Sequence, residues 1–274
     1  MSDLVDAFDR YFEVVPASTS ALMKEACRLR YQVYCEEGRV PGFDPASYPD
    51  GIEKDDCDAR SVHSLLRHRP TGLWAGTVRL VLCDPVDPGT PFPGECYMGD
   101  LPDRSRRDLA AIPRRQLAEV SRLLLASRFR SRKGEHLTAH GLTTAALSRH
   151  TDRRAVSLSA GRTERHAETN RRLLLHPILG LVLAVIRMSA DHGLTHWYFV
   201  TEHQVVRLLR RVGMEFQEIT GDIEYHGIRR AYFTGISEFL ERVYHVRPEV
   251  WALITGQGTL WPAPLKDGGR KVLG

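Results

Sequence analysis

The chain has 274 residues, 42% of them hydrophobic and 26% charged, which is the composition of a globular protein and not of a disordered one. Its net charge is +4, and 33 of its 38 basic residues are Arg. An acidic binding partner and a genomic bias toward Arg codons explain this excess of Arg equally well. The longest apolar stretch, 173–186, contains His176 and Pro177 and is shorter than the roughly 20 residues of a spanning helix, so a transmembrane segment is excluded.

The N-terminus and the cysteines indicate a reducing compartment. No basic start followed by an apolar run is visible, so no secretory signal is expected. The five cysteines are odd in number and never spaced as Cys-x-x-Cys, which predicts reduced thiols. We therefore expect a cytoplasmic protein.

The first half of the chain predicts strands and one long helix. A short strand is expected at 11–15, and a helix at 18–37, with Ser18 or Thr19 as its cap and Gly38 as its end. Two strands at 61–67 and 74–83 flank a turn that contains Pro and Gly, as a hairpin requires. The Pro- and Gly-rich segment 84–99 is expected to be a loop.

The second half alternates strands and helices. The predicted elements are a strand at 118–126, a helix at 178–192, a strand at 196–201, a helix at 202–211, strands at 214–219 and 225–234, and a helix at 236–244. This order predicts an α/β fold, with a mixed sheet and helices on both faces. We expect a single domain over 1–256, a polar, Arg-rich insertion at 149–172 and a loose tail at 257–274.

Three local patterns carry the chemistry: Leu-Arg-Tyr-Gln-Val-Tyr at 29–34, Glu-x-Asp-x-x-Asp at 53–58, and Glu-Val-Ser-Arg at 119–122. Glu119 and Arg122 bracket an otherwise apolar strand, and a charge in a buried strand is costly unless it is paired. The patterns therefore predict a shared network of ion pairs, which is either a functional site or a purely structural feature.

In this order and spacing, the patterns resemble the autoinducer synthases that make acyl-homoserine lactones and the related N-acyl amino acid synthases. The likeness is greatest to acyltransferases associated with PEP-CTERM/exosortase systems. It covers about residues 10–240, including HWYFVTEHQVVRLLRRVGMEF and IEYHGIRRAYF near the end. The resemblance implies a GNAT-like fold and the transfer of a long-chain acyl group from a thioester to an amine.

The resemblance also assigns residues. The substrate-binding positions that it implies are Arg30, Tyr34, Asp55, Asp58 and Arg79, and its later signature falls on Glu119 and Arg122. Together with Ser121, at the start of the segment expected to hold the oxyanion, these two are the predicted catalytic positions. Tyr34 stands where the lactone synthases carry Phe, and Val40 lies near the place of their Trp. The missing Trp favours another amine, such as an amino acid, over homoserine lactone synthesis.

The reaction requires a base, a site for the oxyanion and close positioning of the two reactants. Glu119 is the predicted general base, directly or through one water. Backbone N–H groups at 121–124 are predicted to hold the oxyanion, at a bulge in the strand. Cys35 and Cys57 have no identifiable His partner, so no covalent intermediate is expected.

The donor is expected to be an acyl-carrier protein or coenzyme A as a co-substrate, with no bound cofactor. The segment 128–134 has basic charge but a single Gly, which favours an acidic carrier protein over a cradle for pyrophosphate. The predicted carrier contacts are Arg128, Arg130, Arg132 and Lys133, although the same residues also suit a solvated basic loop. The segment 173–186 is expected to be core, or else to enclose an acyl chain.

Other functions are open at this level. Among the twelve histidines, the i, i+4 pairs lack the Glu of His-Glu-x-x-His, so no metal is expected. The alternatives are an acyl-homoserine lactone synthase, which would depend on S-adenosylmethionine, and an Arg-rich nucleic-acid-binding protein. No nucleic-acid-binding motif is present, so nucleic acid is not an expected partner, whereas peripheral contact with a membrane is left open.

Overall fold

A computed structural model of the chain describes residues 3–38, 40–99, 101–130 and 177–264. The insertion predicted at 149–172 lies outside the described residues, as do Arg132 and Lys133. Eight strands of the described part form one mixed sheet with the order β1-β2-β3-β4-β5-β8-β6, and β7 pairs with β8. The strands are β1 (Phe12–Pro16), β2 (Ser61–His68), β3 (Trp74–Val81), β4 (Leu117–Leu125), β5 (His196–Thr201), β6 (Gln217–Glu218), β7 (Ile223–Glu224) and β8 (Ile228–Gly235).

Helices cover both faces of the sheet, as predicted for an α/β fold. In chain order the helices of the described part are α1 (Asp3–Tyr11), α2 (Ser20–Tyr31), α3 (Asp103–Ala110), α4 (Ser127–Arg130), α5 (Ile178–Asp191), α6 (His203–Arg210), α7 (Ile236–Val246) and α8 (Pro248–Ile254). The buried helix α5 packs on β1, β2 and β3, while α2 packs on β2 and β3 from the other side. Because side chains alternate along β2, Leu65 enters the core under α2 and Leu66 enters the core under α5.

The sheet opens between β4 and β5, its two central strands. These strands pair in parallel from Leu117 opposite His196 to Glu119 opposite Tyr198, and the pairing stops there among the described residues. Beyond Glu119 the two strands separate, and the space between them becomes a cleft. All other neighbouring strands in the described sheet are antiparallel.

A β-bulge interrupts β4 just beyond this opening. Thr77 pairs with Leu124 and Arg79 pairs with Ser121, so two residues of β4 face the single Val78 of β3. Arg122 lies in the bulge with a φ of 53°, in the left-handed region that a side chain rarely adopts. The bulge thus confirms the irregularity that was predicted for this strand.

The first predicted helix changes its geometry along its length. Thr19 caps α2 by accepting a hydrogen bond from the Leu22 N–H (3.3 Å), as predicted. From Gln32 to Glu37 the chain continues as a π-helix that ends before Gly38. This wider turn begins two residues after Arg30, and π-helical turns are frequent at functional sites.

Several boundaries differ from the prediction. The helices α1, α3, α4 and α8 were not predicted, and a short 3₁₀ helix, Pro93–Tyr97, lies in the predicted loop at 84–99. The strand expected at 214–219 is reduced to β6 because Met214 packs in the core at the end of the preceding turn. Within the described part of the tail that was predicted to be loose, Leu260 and Trp261 pack against the core.

Candidate active site

Three arginines and three carboxylates form a closed ring on the α2 side of the sheet. Arg30, at the end of α2, donates to Glu53 through Nε and to Asp58 through Nη1 (2.7 Å) and Nη2 (3.1 Å). Arg79, on β3, donates through Nη1 to Asp58 (2.7 Å) and through Nη2 to Asp55 (3.0 Å). The side chains of Arg30, Arg79, Glu53 and Asp58 are fully buried.

Arg122 closes the ring from the bulge in β4. Its Nη2 donates to Glu53 (3.0 Å) and to Asp55 (2.8 Å), so every arginine in the ring joins two carboxylates and every carboxylate joins two arginines. In a regular strand Arg122 would point away from its neighbour Ser121, which accepts from Arg79 (2.9 Å). The bulge turns Arg122 to the same face, and this reorientation explains why the strained φ is retained.

The carboxylates come from one short turn. Asp55 precedes a 3₁₀ helix, Asp56–Arg60, and its N–H donates to the Asp58 carboxylate (2.9 Å). This capping interaction brings the 53–58 pattern to one side of the chain, facing α2 and β3. Glu53, which the pattern included but to which no role was assigned, completes the ring.

The ring keeps its carboxylates ionised. Burial alone would raise the pKa of Glu53, but the guanidinium groups of Arg122 and Arg30 outweigh it and hold that pKa below its ordinary value. The pKa of Asp58 is lowered for the same reason, against burial, by Arg30 and Arg79. His63, on β2 below the ring, has a pKa lowered to about 4, mainly by burial, and is therefore neutral at pH 7.

Glu119 lies outside the ring, contrary to the expectation that it pairs with an arginine. Its Oε2 accepts hydrogen bonds from the Gly94 N–H (2.7 Å) and from the Tyr198 hydroxyl (2.7 Å). Both bonds reach Oε2 and leave Oε1 for another partner, and Glu119 lines the cleft. The carboxylate is thus fixed in position and still has one oxygen to offer.

Burial raises the pKa of Glu119 above the 4.5 of an ordinary glutamate. The hydrogen bonds from Gly94 and Tyr198 favour the ionised form and oppose this shift without cancelling it. Burial and the neighbouring Glu119 also raise the pKa of Tyr198 well above its usual value, so its hydroxyl stays protonated and donates. A carboxylate with a raised pKa, facing a cleft, is well suited to accept a proton.

The cleft between β4 and β5 has an apolar interior and a polar mouth. The interior is lined by side chains of α5, α6 and α7, among them Ile178, Val182, Val185, Val205, Leu209 and Phe239. The mouth is lined by Glu119, Arg122, Tyr34, Tyr225 and Arg229. One face of α5 therefore lines the cleft, while most of the helix belongs to the core, as the favoured interpretation of this stretch predicted for its described part.

Aromatic rings pack beside Tyr34, which lines the mouth. Tyr34 stacks on Phe43 at 4.3 Å, and Phe43 packs on His226 at 4.5 Å between ring centroids. The guanidinium of Arg122 lies 5.2 Å from the centre of the Phe43 ring. Phe43 thus provides an aromatic side chain close to Val40, where the expected Trp is missing.

The predicted carrier contacts differ in exposure. Arg128 is exposed. Arg130 is buried, and its guanidinium donates to the Leu125 carbonyl and to Glu37 (2.9 Å), so it presents no free charge to a carrier protein. Sequence reasoning could not detect this, because Glu37 and Arg130 are distant along the chain.

Sequence reasoning missed Gly94, Tyr198, Tyr225 and Arg229. Gly94 lies in a segment that shows only turn signals, yet a Cβ there would come 2.9 Å from Val200 Cγ2 and 3.2 Å from Glu119 Oε2. Tyr198 and Arg229 lie on the late strands β5 and β8, and Tyr225 lies in the turn between β7 and β8, where aromatic and charged residues are ordinary. The described residues contain no cluster of His, Cys, Asp and Glu placed to hold a metal ion, and none of their helices is long and apolar enough to cross a membrane.

Comparison with known proteins identifies the fold. Residues 29–140 match the family model of the acetyltransferase (GNAT) domain. A search of curated proteins finds no match. The CoA-dependent acyl-homoserine lactone synthase BjaI, solved with SAM and isopentyl-CoA, is 14% identical, with 93% of each chain covered and a TM-score of 0.51.

Two further solved structures are similar at lower scores. The AHL synthase LasI is 15% identical over 86% of this chain and 94% of its own, with a TM-score of 0.49. FeeM, an N-acyl amino acid synthase from uncultured soil microbes, is 11% identical over 86% of this chain and 97% of its own, with a TM-score of 0.46. From the match to the domain model and the likeness to BjaI, the chain has a GNAT-like fold.

Proposed function

We propose that this protein is an acyltransferase that moves a long-chain acyl group from a thioester onto the amine of an amino acid or a similar small molecule. The observation that carries the proposal is the position of Glu119. It lies where β4 and β5 separate, is held by two hydrogen bonds on Oε2, and lines the cleft. Its raised pKa suits the removal of a proton from an ammonium group.

The other elements of the reaction have candidate positions close by. The bulge at Arg122 interrupts the pairing of β4, and the backbone beyond Glu119 has no partner strand on the β5 side among the described residues. N–H groups there are our candidates for stabilising the oxyanion. The ion-pair ring of Arg30, Arg79 and Arg122 would hold the 53–58 turn and the bulge in place, and the hydroxyl of Ser121 is occupied by Arg79.

The apolar interior of the cleft supports a long acyl chain as the donated group. Each methylene group that leaves water contributes about 0.8 kcal/mol, so several buried methylenes would select a long chain over an acetyl group. The donor is an acyl-carrier protein or acyl-CoA, and the exposed Arg128 remains a candidate carrier contact. A cytoplasmic location and an association with PEP-CTERM/exosortase systems stay predictions from the sequence.

The second candidate is an acyl-homoserine lactone synthase. It is kept because BjaI, which shares this fold, is an acyl-homoserine lactone synthase. Such an enzyme would need S-adenosylmethionine as the amine substrate, whereas the favoured function needs only an amino acid. The two candidates therefore predict different products from the same donor.

The test is a product scan by mass spectrometry. Purified protein is incubated with long-chain acyl-carrier protein or acyl-CoA, a pool of amino acids and S-adenosylmethionine, beside a Glu119→Gln variant. An N-acyl amino acid from the wild type, strongly reduced in the variant, is the expected result. An acyl-homoserine lactone would replace the favoured function with the second one, and no turnover of either thioester would refute both.

A further inference from the structure

Arg229 is a cation in the cleft without an acidic partner among the described residues. It lies on β8, opposite Ile223 in the β7–β8 pair, and it lines the polar mouth together with Glu119 and Tyr34. Its side chain is half-buried, and its Nε is fully buried with no hydrogen-bond acceptor in the described part of the chain. Its guanidinium carbon lies 5.9 Å from the centre of the Tyr225 ring.

This lack of a partner sets Arg229 apart from the arginines around it. Arg122, at the same mouth, is held by two carboxylates of the ring. Arg230, the next residue along β8, pairs with Asp222 (2.6 Å) and Glu218 (3.1 Å). Within the part of the chain that the structure describes, carboxylates thus pair with Arg122 and Arg230 but not with Arg229.

An unpaired, partly buried guanidinium is unfavourable unless something completes its hydrogen bonds. A buried N–H without an acceptor costs about 1–3 kcal/mol, and contact with one aromatic ring offsets only part of this at a half-buried site. A bound anion would supply the missing acceptor. The planar fork of Arg matches a carboxylate, which can accept two parallel hydrogen bonds from it.

We propose that Arg229 binds the carboxylate of the acceptor, so that the acceptor is an amino acid and not a simple amine. The proposal rests on the function proposed above. Glu119 and Arg229 line the same cleft with opposite charges, and an α-amino acid carries an ammonium group and a carboxylate on one carbon. The ammonium group then faces Glu119, the base, while the carboxylate faces Arg229.

A phosphate group of the donor is the other anion that such a site could receive. Phosphate sites usually offer several donors, such as a row of backbone N–H groups at the start of a helix. Arg229 stands instead beside Tyr225, and Tyr34 lines the same mouth, which suits a single, planar, singly charged group. The carboxylate of the acceptor therefore fits the surroundings better.

The kinetic test compares an amino acid with its α-amide, which has the same amine but no carboxylate. Wild type, Arg229→Gln and the control Arg207→Gln are assayed with each acceptor; Arg207 is exposed on α6. For Arg229→Gln we expect the acceptor KM to rise about 10- to 100-fold with the amino acid. The KM for the amide and for the acyl donor should stay unchanged, as should all values for Arg207→Gln.

A binding test does not depend on turnover. Calorimetry measures N-lauroylglycine and N-lauroylglycinamide against wild type and Arg229→Gln. The wild type should bind the carboxylate ligand about 10-fold tighter or more, and the variant should not discriminate. If no amide is formed with any amine, the proposed function fails, while this binding result still decides the role of Arg229.

Three results would overturn the assignment of Arg229. The first is a variant that keeps the wild-type preference for the carboxylate ligand. The second is a rise in the KM for the donor in place of the acceptor, which would assign the arginine to a phosphate of the donor. The third is a wild type that binds both lauroyl ligands equally or neither of them.

Discussion

Asp58 is the residue through which the ion-pair ring can be tested most sharply. Its side chain is fully buried and accepts two hydrogen bonds from Arg30, one from Arg79 and one from the Asp55 N–H. Replacing Asp58 by Asn keeps the shape but leaves three guanidinium groups facing only Glu53 and Asp55. The buried ring then carries an excess positive charge.

The expected cost follows from this burial. Removing one partner of a buried ion pair costs about 3–5 kcal/mol in the free energy of unfolding, because the other charge stays buried without compensation. The side chain of Asp55 is 31% exposed, so water screens part of the loss, and Asp55→Asn should cost about 1–2 kcal/mol. Domains are stable by about 5–15 kcal/mol, so Asp58→Asn should be weakened but often still folded.

Urea unfolding followed by circular dichroism measures both variants. The lowered pKa of Asp58 makes its contribution fully present above the pKa of an unfolded aspartate, about 3.9, and lost as the pH falls through the lower folded value. The difference between wild type and Asp58→Asn should therefore be large at neutral pH and shrink in acid. Equal costs for the two variants, or a difference that does not change with pH, would refute this account.

Three further predictions concern the base and the cleft. Gly94→Ala should lower kcat about 10- to 100-fold, because its Cβ would meet Val200 and the Glu119 carboxylate and displace the base. The acidic limb of the pH–rate profile should lie above pH 4.5, because burial raises the pKa of Glu119. Tyr198→Phe should move that limb to still higher pH, because it removes a hydrogen-bond donor that stabilises the ionised Glu119 carboxylate. Val182→Phe should narrow the cleft and lower kcat/KM for long acyl donors about 10-fold or more, while short donors are used as before.

Each of these variants has a matched control. Gly221→Ala has no atom within 4 Å of the new Cβ and should keep the wild-type rate. Tyr11→Phe, at an exposed position, should leave the pH profile in place, and Val86→Phe, on an exposed loop, should leave the chain-length preference unchanged. The first prediction is contradicted if Gly94→Ala is as active as its control, and the second if the acidic limb moves to lower pH in Tyr198→Phe. The third is contradicted if Val182→Phe uses long donors as well as the wild type does.

Much of the fold could be predicted from periodicity and turn signals. The strands at 61–67, 74–83, 118–126 and 196–201 and the helix at 178–192 were found to within a few residues, since each is strongly apolar and bounded by Gly, Pro or polar residues. The cap at Thr19 was also predicted from local chemistry. The helix α1 was missed because a mostly polar stretch buries only Leu4, Val5 and Phe8.

The charged site was predictable in part. Glu119 and Arg122 were noticed because charges in an apolar strand require partners, and a shared ion-pair network was the expected result. The sequence could not show that Glu119 and Arg122 have different partners. Only the bulge turns Arg122 into the ring, whereas Glu119 accepts hydrogen bonds from Gly94 and Tyr198. Contacts of this kind depend on how distant segments meet, and no local pattern encodes them.

The most direct test of the account is the rate of amide formation in Glu119→Gln across the pH range on both sides of neutrality. Glu13→Gln, a glutamate on β1 that pairs with Arg67, is the control. We predict that Glu119→Gln loses about 100- to 10,000-fold in rate together with the acidic limb of the profile, while the control matches the wild type. A Glu119→Gln variant that keeps the wild-type rate and the same acidic limb would show that Glu119 is not the base.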